Sequence, residues 1–214
     1  MGGRGASSSI GRGSGAGKPN DATEEYVNGF GGYSINSVLR SGKPLSEDEK
    51  EYVKQLDLAT NGKVKEDELY RVIDARALMK FDDEFQEDDF KAYLILGENS
   101  DYFGGNYMQN RLSNIKSKIN NIVGKNQIEK GYMSTTKDLD IAKHKTNVAT
   151  HQQGAPVILN IKETKGAKGV DLSSYDKPNG TPEKEILLGR NQNYKINKIY
   201  AKDGTIYADA TLKK

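Results

Sequence analysis

The chain has 214 residues, of which 35% are hydrophobic and 29% charged, with a formal net charge of +2 and no cysteine. This length suits one well-buried domain, and the lack of cysteine excludes disulfide bonds and thiolate metal sites. No apolar run approaches the roughly 18 residues of a membrane span, and the opening residues lack the apolar centre of a secretory signal peptide. We therefore expect a soluble protein.

The first 20 residues differ in composition from the rest of the chain. They contain seven glycines, four serines and three basic residues, but no acidic residue. Glycine and serine bury too little surface to offset the entropy lost on ordering, so residues 1–20 are expected to form a flexible tail. The remaining 21–214 segment, expected to be a single domain, has 29 basic and 30 acidic residues. This balance argues against a nucleic-acid or membrane partner.

The pattern from residue 21 to about residue 101 is mainly helical, because apolar residues recur at intervals of three or four. Helices are predicted over 33–40, from the capping box Ser46–Glu49 to a stop at Asn61–Gly62, over 89–96 and over 110–123. The segment Leu69–Ile73 is short and rich in β-branched and aromatic residues, which predicts a first strand.

After Gly124 the pattern changes to that of β-strands. Strands are predicted over 131–136, 156–161, 185–188, 194–200 and 205–212. The last two flank Lys202-Asp203-Gly204, which indicates a hairpin because glycine accepts the positive φ of the turn. Helices first and strands later imply an α+β domain with antiparallel pairing.

Two carboxylates, Glu183 and Glu185, stand two residues apart where an apolar strand begins. Side chains at i and i+2 of a strand point the same way, so both are expected to face one space. The alternative is a solvated strand edge.

Two further features join this pair as candidates for chemistry. Ser134 opens a run of three hydroxyl residues, although Thr135 with Asp138 also fits a helix capping box. Arg71 lies in an otherwise apolar strand, where an inward-pointing guanidinium needs an anionic partner. An edge strand with Arg71 facing water is the alternative.

These features occur in a characteristic order. Arg71 follows an aromatic residue, Ser134 follows Gly131-Tyr-Met, and the glutamate pair precedes Leu187-Leu188. The set resembles the arginine-serine-glutamate class of bacterial ADP-ribosyltransferase exoenzymes, which includes actin-modifying toxins and Rho-modifying clostridial exoenzymes. Supporting pieces are Ile35-Asn36, Leu39-Arg40-Ser41-Gly42 and Gly169-Val-Asp-Leu-Ser-Ser-Tyr175. The opening MGGRG also faintly resembles the starts of some phage head-associated proteins.

The resemblance implies two packed, mainly antiparallel sheets that form a cleft for NAD. Arg71 would hold the NAD phosphates, a task that suits its planar fork of donors. Ser134 would orient Glu185, which would engage the nicotinamide ribose, and Thr135 would join them in binding the nucleotide. Val72 stands where glycine is common in the family, a departure that could crowd the nucleotide but is not expected to abolish its binding.

On the acceptor side, the resemblance implies that Glu183 meets an arginine side chain of a target protein and that Tyr175 recognises that target. The expected activity is mono-ADP-ribosyl transfer from NAD to this arginine, with release of nicotinamide and without a metal. The resemblance also implies a monomer that acts in the cytosol of a host or target cell.

Several alternatives remain open on the sequence alone. Water in place of the acceptor would make an NAD glycohydrolase. A non-catalytic interaction module would use Arg4 and Arg12 of the tail to bind nucleic acid. Asp57, Asn61 and Glu68 match part of a calcium-binding loop, but Ala59 stands where a ligand is needed. His144 and His151 are too few for a zinc site.

Overall fold

The computed structural model describes residues 17–28, 31–79, 87–97, 100–101, 104–150, 155–175 and 182–213. Three helices come first along the chain: α1 (Asp21–Asn28), α2 (Gly31–Ser41) and α3 (Glu47–Ala59). The predicted capping box at Ser46 is confirmed, since its side chain accepts from the Glu49 N–H and the Glu49 side chain accepts from the Ser46 N–H. This reciprocal pair begins α3, and helix α2 ends before Gly42, whose φ is +70°.

The remaining helices lie between strands. They are α4 (Ala75–Met79), α5 (Glu87–Leu96), α6 (Asn106–Ile122) and α7 (Leu139–Thr150). The strands are β1 (Gly62–Lys63), β2 (Glu68–Asp74), β3 (Asn126–Glu129), β4 (Met133–Thr136), β5 (Pro156–Lys162), β6 (Lys168–Asp171), β7 (Glu185–Leu188), β8 (Gln192–Lys202) and β9 (Thr205–Lys213). The α+β class is therefore confirmed.

The described strands form one mixed sheet in the order β1-β6-β7-β4-β2-β5-β9-β8-β3. All neighbours are antiparallel except β5 and β9, which run parallel. At the centre of this order, β2 and β4 are joined by a single pair, Tyr70 with Thr136. The sheet thus consists of two segments, one on each side of this narrow junction.

A common core links the two segments. Its buried members include Met133, Ile186 and Leu188 from one segment, and Leu159 and Ala208 from the other. The expected pair of packed sheets is accordingly present as two parts of one hydrogen-bonded sheet, which share a hydrophobic core. A second cluster packs the N-terminal helices against Tyr132, which precedes β4, and against β6 and β7.

Some elements differ from the sequence prediction. Helix α3 ends at Ala59 with Thr60 as its C-cap, so Gly62 does not stop it but belongs to β1. Leu69–Ile73 is consequently the second strand and not the first. The short strands β1, β3 and β6 were not predicted, because their positions depend on the neighbours with which they pair. The hairpin between β8 and β9 is confirmed, with positive φ at both Asp203 and Gly204.

The chain contacts the helical part from Gly17 onward, where the Gly17 N–H donates to the Leu58 carbonyl at 3.2 Å. Asn20 also donates from its side-chain amide to the Gln55 carbonyl at 2.9 Å. Most of the predicted tail, residues 1–16, lies outside the described residues. Of the helices that the structure describes, none is both long and apolar enough to cross a membrane.

Candidate active site

A cleft of about 510 Å³ lies where helices α1 and α2 face strands β2, β4 and the start of β7. The candidate residues that line it are Arg71, Ser134, Tyr175, Glu183 and Glu185. They are separated by up to 114 positions along the chain, and the sheet order brings them together because β7, β4 and β2 are consecutive neighbours.

One wall of the cleft carries two arginines around one carboxylate. Arg40 from α2 binds Glu129 with two hydrogen bonds, from Nε at 2.8 Å and from Nη2 at 3.2 Å. Arg71 Nη2 lies 3.7 Å from Glu129 Oε2, the oxygen that also accepts from Arg40 Nη2. The Gly131 N–H donates to Glu129 at 2.9 Å, which fixes the carboxylate to the chain that leads into β4.

Burial and the neighbouring opposite charges have opposing effects on the pKa values of Arg71 and Glu129. Only 17% of the Arg71 side chain is exposed, and burial lowers its pKa although the charge of Glu129 opposes that effect. Burial alone would raise the pKa of Glu129, but the hydrogen bond from Arg40 and the charge of Arg71 outweigh it and keep the pKa below its ordinary value. Within the described part of the chain, Arg71 Nη1 has no hydrogen-bond partner. Buried donors without a partner are rare in folded proteins, so this nitrogen adds to the cost of burying Arg71.

The floor of the cleft is a rigid frame between α2 and β4. The Asn36 side chain accepts from the Tyr132 N–H at 2.7 Å and donates to the Tyr132 carbonyl at 3.2 Å. It also donates to the Tyr26 hydroxyl at 2.9 Å, and burial raises the pKa of Tyr26 to about 12. A Cβ on Gly131 would lie 2.5 Å from the Asn36 amide oxygen, so this close packing requires glycine.

The pairing of β4 with β7 positions Ser134 and Glu185 relative to each other. Ser134 pairs with Leu187, and Thr136 pairs with Glu185. Ser134 and Glu185 therefore lie on the same face of the sheet as diagonal neighbours. Glu185 is only 6% exposed, and its backbone carbonyl accepts from the Leu172 N–H at 2.8 Å.

Glu183 and Glu185 line the same cleft, but the alternation of a strand is not the reason. Strand β7 begins only at Glu185, and Lys184 has a φ of +46°, in the left-handed region. The expectation that both glutamates belong to one extended strand is therefore wrong. Glu183 is exposed at the rim, where its carboxylate binds the Lys145 ammonium of α7 at 3.0 Å.

Thr135 is not brought into the main cleft. It is buried on the other face of β4, and its hydroxyl donates to the Ile186 carbonyl at 2.6 Å. The capping box expected between Thr135 and Asp138 is also wrong, because Asp138 itself accepts from the Asp140 N–H at the start of α7. Thr135 lines a smaller adjacent pocket of about 170 Å³ together with Val72, and Arg71 and Ser134 line both spaces.

Tyr175 lies at the edge of the cleft in a short 3₁₀ turn, Ser173–Tyr175. Its hydroxyl donates to the Asn20 carbonyl at 3.1 Å and shares a hydrogen bond with the Thr23 hydroxyl at 3.1 Å. Tyr175 thus ties this edge to the beginning of α1, and its role in recognising a target stays a prediction.

The carboxylate of Asp57, a candidate calcium ligand, is engaged elsewhere. Asp57 lies within α3, where it accepts from the Tyr132 hydroxyl at 2.8 Å and from Arg190 at 3.0 Å. The described residues include no group of three or more acidic or histidine side chains that could hold a metal ion. His151, half of the weak zinc pattern, lies outside the described residues.

Sequence reasoning did not identify Glu129 or Tyr26, and it noted Arg40 and Asn36 only as supporting pieces of the resemblance. A signal for the last two was available, because an i, i+4 spacing places both on one face of α2. No pattern in the sequence marks Glu129, because its two arginine partners come from distant elements. The assembled cleft is lined by two arginines and two glutamates, which suit the phosphates and the reacting sugar of a dinucleotide.

Comparison with known proteins agrees with this arrangement. Residues 18–213 match the family model of the ADP-ribosyltransferase exoenzymes. The chain therefore belongs to the ADP-ribosyltransferase exoenzyme family, and it is an NAD-dependent ADP-ribosyltransferase. No protein among those with curated functions matches it by sequence.

Solved structures show the same fold. The C3larvin toxin, an ADP-ribosyltransferase from Paenibacillus larvae, is 24% identical with a TM-score of 0.59 over 91% of this chain and 86% of that chain. The C3 exoenzyme of Clostridium limosum is 20% identical with a TM-score of 0.61 over 91% of this chain and 84% of that chain. C3stau2 from S. aureus, solved with NAD, is 22% identical with a TM-score of 0.58 over 90% of this chain and 85% of that chain.

Proposed function

We propose that the protein transfers ADP-ribose from NAD to an arginine side chain of a target protein. The observation that supports this acceptor is the pair of carboxylates in different surroundings. Glu185 is buried at the start of β7, whereas 53% of the Glu183 side chain is exposed and its carboxylate already binds a cationic side chain, that of Lys145. An acceptor guanidinium is a cation of the same charge and suits this rim carboxylate.

The arginine wall would bind the pyrophosphate of NAD. Arg71 and Arg40 both line the cleft, and Glu129 holds Arg40 through two hydrogen bonds. A guanidinium offers a planar fork of donors that matches two phosphate oxygens. Ser134 and Glu185 line the same cleft, so a dinucleotide held by the two arginines would place its nicotinamide ribose beside them.

The reaction begins when the bond between nicotinamide and the ribose carbon breaks. Nicotinamide leaves with the electron pair, and positive charge develops on the ribose. The buried Glu185 carboxylate would stabilise that charge more in the transition state than in the ground state. Ser134 would orient Glu185, and Thr135 would support the nucleotide from the adjacent pocket.

The second half of the reaction requires an acceptor nitrogen. A guanidinium has a pKa above about 12 and is a poor nucleophile until it loses a proton. Glu183 would position the guanidinium and take its proton as the nitrogen bonds to the ribose carbon. Tyr175 would contact the target at the neighbouring edge.

The same proposal includes a single catalytic domain at 21–214, a monomeric enzyme, and action in the cytosol of a host or target cell.

Two matched substitutions test the division of roles. We expect Glu185→Gln to abolish both nicotinamide release and transfer, because both pass through the charged ribose. We expect Glu183→Gln to lose transfer to agmatine, a small guanidine acceptor, and to keep nicotinamide release in its absence. Nicotinamide release is measured by chromatography, and transfer is measured as labelled ADP-ribose on the acceptor.

Folding of both variants is checked by thermal unfolding. Equal activity in both variants and the wild type would reject the assignment of the two glutamates. Nicotinamide release by the wild type with no labelling of any guanidine or lysate protein would instead favour the NAD glycohydrolase.

A further inference from the structure

The backbone turns sharply between the two glutamates of the cleft. Lys184 has a φ of +46°, a conformation in which the Cβ of an L-residue crowds the following carbonyl oxygen. Such a conformation persists only where the surrounding structure holds it, and it often occurs at functional sites.

The residues at the start of helix α7 bind Lys184 through both its side chain and its backbone carbonyl. The Lys184 ammonium binds Asp138 at 2.6 Å, and the Lys184 carbonyl accepts from the Lys137 N–H at 3.3 Å. Asp138 is fixed in turn, because its other oxygen accepts from the Asp140 N–H at 2.9 Å in the first turn of α7. The hydrogen bond from Lys184 keeps the pKa of Asp138 below its ordinary value.

The two glutamates depend on this hold to different degrees. Glu185 is paired with Thr136 in the sheet and accepts from the Leu172 N–H. Glu183 precedes the strand, and its carboxylate accepts from the Lys145 ammonium of the same helix α7. A loss of the turn at Lys184 would therefore displace Glu183 and leave Glu185 in its sheet.

We propose that Lys184, locked by its ion pair with Asp138, is a positioning residue that directs the Glu183 carboxylate toward the acceptor. It serves the transfer step and not the cleavage of NAD. The inference rests on the proposed function, because it takes Glu183 as the acceptor-side carboxylate and Glu185 as the ribose-side carboxylate.

The test compares two activities in four variants of the full chain. Lys184→Met and Asp138→Asn each remove the ion pair, Lys184→Arg keeps it, and Lys137→Met removes a nearby exposed pair with Asp171 at 2.9 Å. Nicotinamide release without acceptor measures NAD cleavage, and labelling of agmatine measures transfer.

We expect transfer to fall about tenfold to a hundredfold in Lys184→Met and Asp138→Asn, the range for a catalytic group displaced by about 1 Å. Nicotinamide release is expected to stay within about twofold of wild type. The thermal unfolding temperature of both variants is expected to stay close to that of the wild type, because a partly exposed ion pair adds little stability. Lys184→Arg should retain transfer, and Lys137→Met should change neither activity.

The opposite results separate this inference from the proposed function. Parallel losses of transfer and nicotinamide release, or unchanged transfer in both variants that lack the pair, would overturn the role of Lys184 alone. A folded wild-type protein that releases no nicotinamide from NAD would overturn the proposed function and this inference with it.

Discussion

Glu129 shows how one carboxylate organises a cationic wall. It lies between Arg40 and Arg71 and also accepts from the Gly131 N–H. Its side chain is 14% exposed, so replacing it would leave a mostly buried Arg71 without its anionic partner. Removal of one member of such a pair costs more than the pair itself contributes, because the remaining charge stays desolvated.

Glu129→Gln is therefore expected to destabilise the protein in a pH-dependent way. The pKa of Glu129 in the folded protein lies below its ordinary value of 4.5. The carboxylate thus stabilises the fold above that value, and its contribution is lost as the pH falls through the lowered pKa. At pH 7 we expect a loss of about 2 kcal/mol in the free energy of unfolding, typical of hydrogen bonds to charged groups.

Urea unfolding of the variant and the wild type at pH 7 and at several pH values below 4.5 checks this expectation. The difference between them should shrink as the pH falls. Glu47→Gln is the control, since Glu47 forms an exposed ion pair with Lys50 and 89% of its side chain is exposed. A Glu129→Gln variant as stable as wild type at pH 7 would show that the arginines need no carboxylate here.

At the scale of elements, the contact between α2 and the chain entering β4 sets the floor of the cleft. Gly131→Ala would place a methyl group 2.5 Å from the Asn36 amide oxygen. Because Asn36 is held by hydrogen bonds to Tyr132 and Tyr26, it has little freedom to move. We expect a loss of about 1–3 kcal/mol, as for other overpacked sites, and a higher KM for NAD.

Gly189→Ala is the matched control for this change. Gly189 is also buried, but a Cβ there would meet its nearest atom at an ordinary 3.4 Å. Thermal unfolding and nicotinamide release measured on both variants separate the two sites. If the two variants behave alike, close packing at Gly131 does not shape the cleft.

The sequence predicts those elements whose signal is local. Helices α2, α3 and α6 have apolar periodicity, and the capping box at Ser46 fixes a helix start from four neighbouring residues. The hairpin between β8 and β9 is likewise encoded by its turn. Strand β3 has the polar sequence NQIE and forms because its backbone pairs with β8, a contact that no local pattern contains.

The same limit applies to the candidate site. Arg71, Ser134 and the glutamate pair were identified because each stands in a recognisable local context. Glu129 was not identified, because its ion pairs join β3 to α2 and β2 only in the folded chain. The left-handed Lys184 was missed for a related reason: Asp138, which holds it, is 46 positions away.

At the scale of the whole molecule, the cleft depends on how the beginning of the chain closes against the rest. Asn20 caps α1, since its side chain accepts from the Thr23 N–H and its own N–H donates to the Thr23 hydroxyl. The Asn20 carbonyl also accepts from the Tyr175 hydroxyl, and the Asn20 side-chain amide donates to the Gln55 carbonyl. The segment of residues 17–20 therefore connects α1 to α3 and to the edge of the cleft.

Two truncations distinguish this junction from the residues before it. A chain starting at Gly17 keeps every one of these contacts, so we expect its thermal unfolding and NAD cleavage to match the full chain. A chain starting at Asp21 loses the cap, which contributes about 1 kcal/mol. That loss corresponds to about 2–4 °C in Tm for a protein of this size.

The shorter truncated chain should also bind NAD less well, because Tyr175 loses its Asn20 contact while α1 carries Tyr26 into the cleft. Calorimetric titration of both chains with NAD measures this difference at equilibrium, apart from any effect on the chemical step. Weaker binding already in the chain that starts at Gly17 would mean that residues 1–16 take part in the site. Residues 1–16 would then belong to the catalytic domain, whose boundary would lie before Gly17.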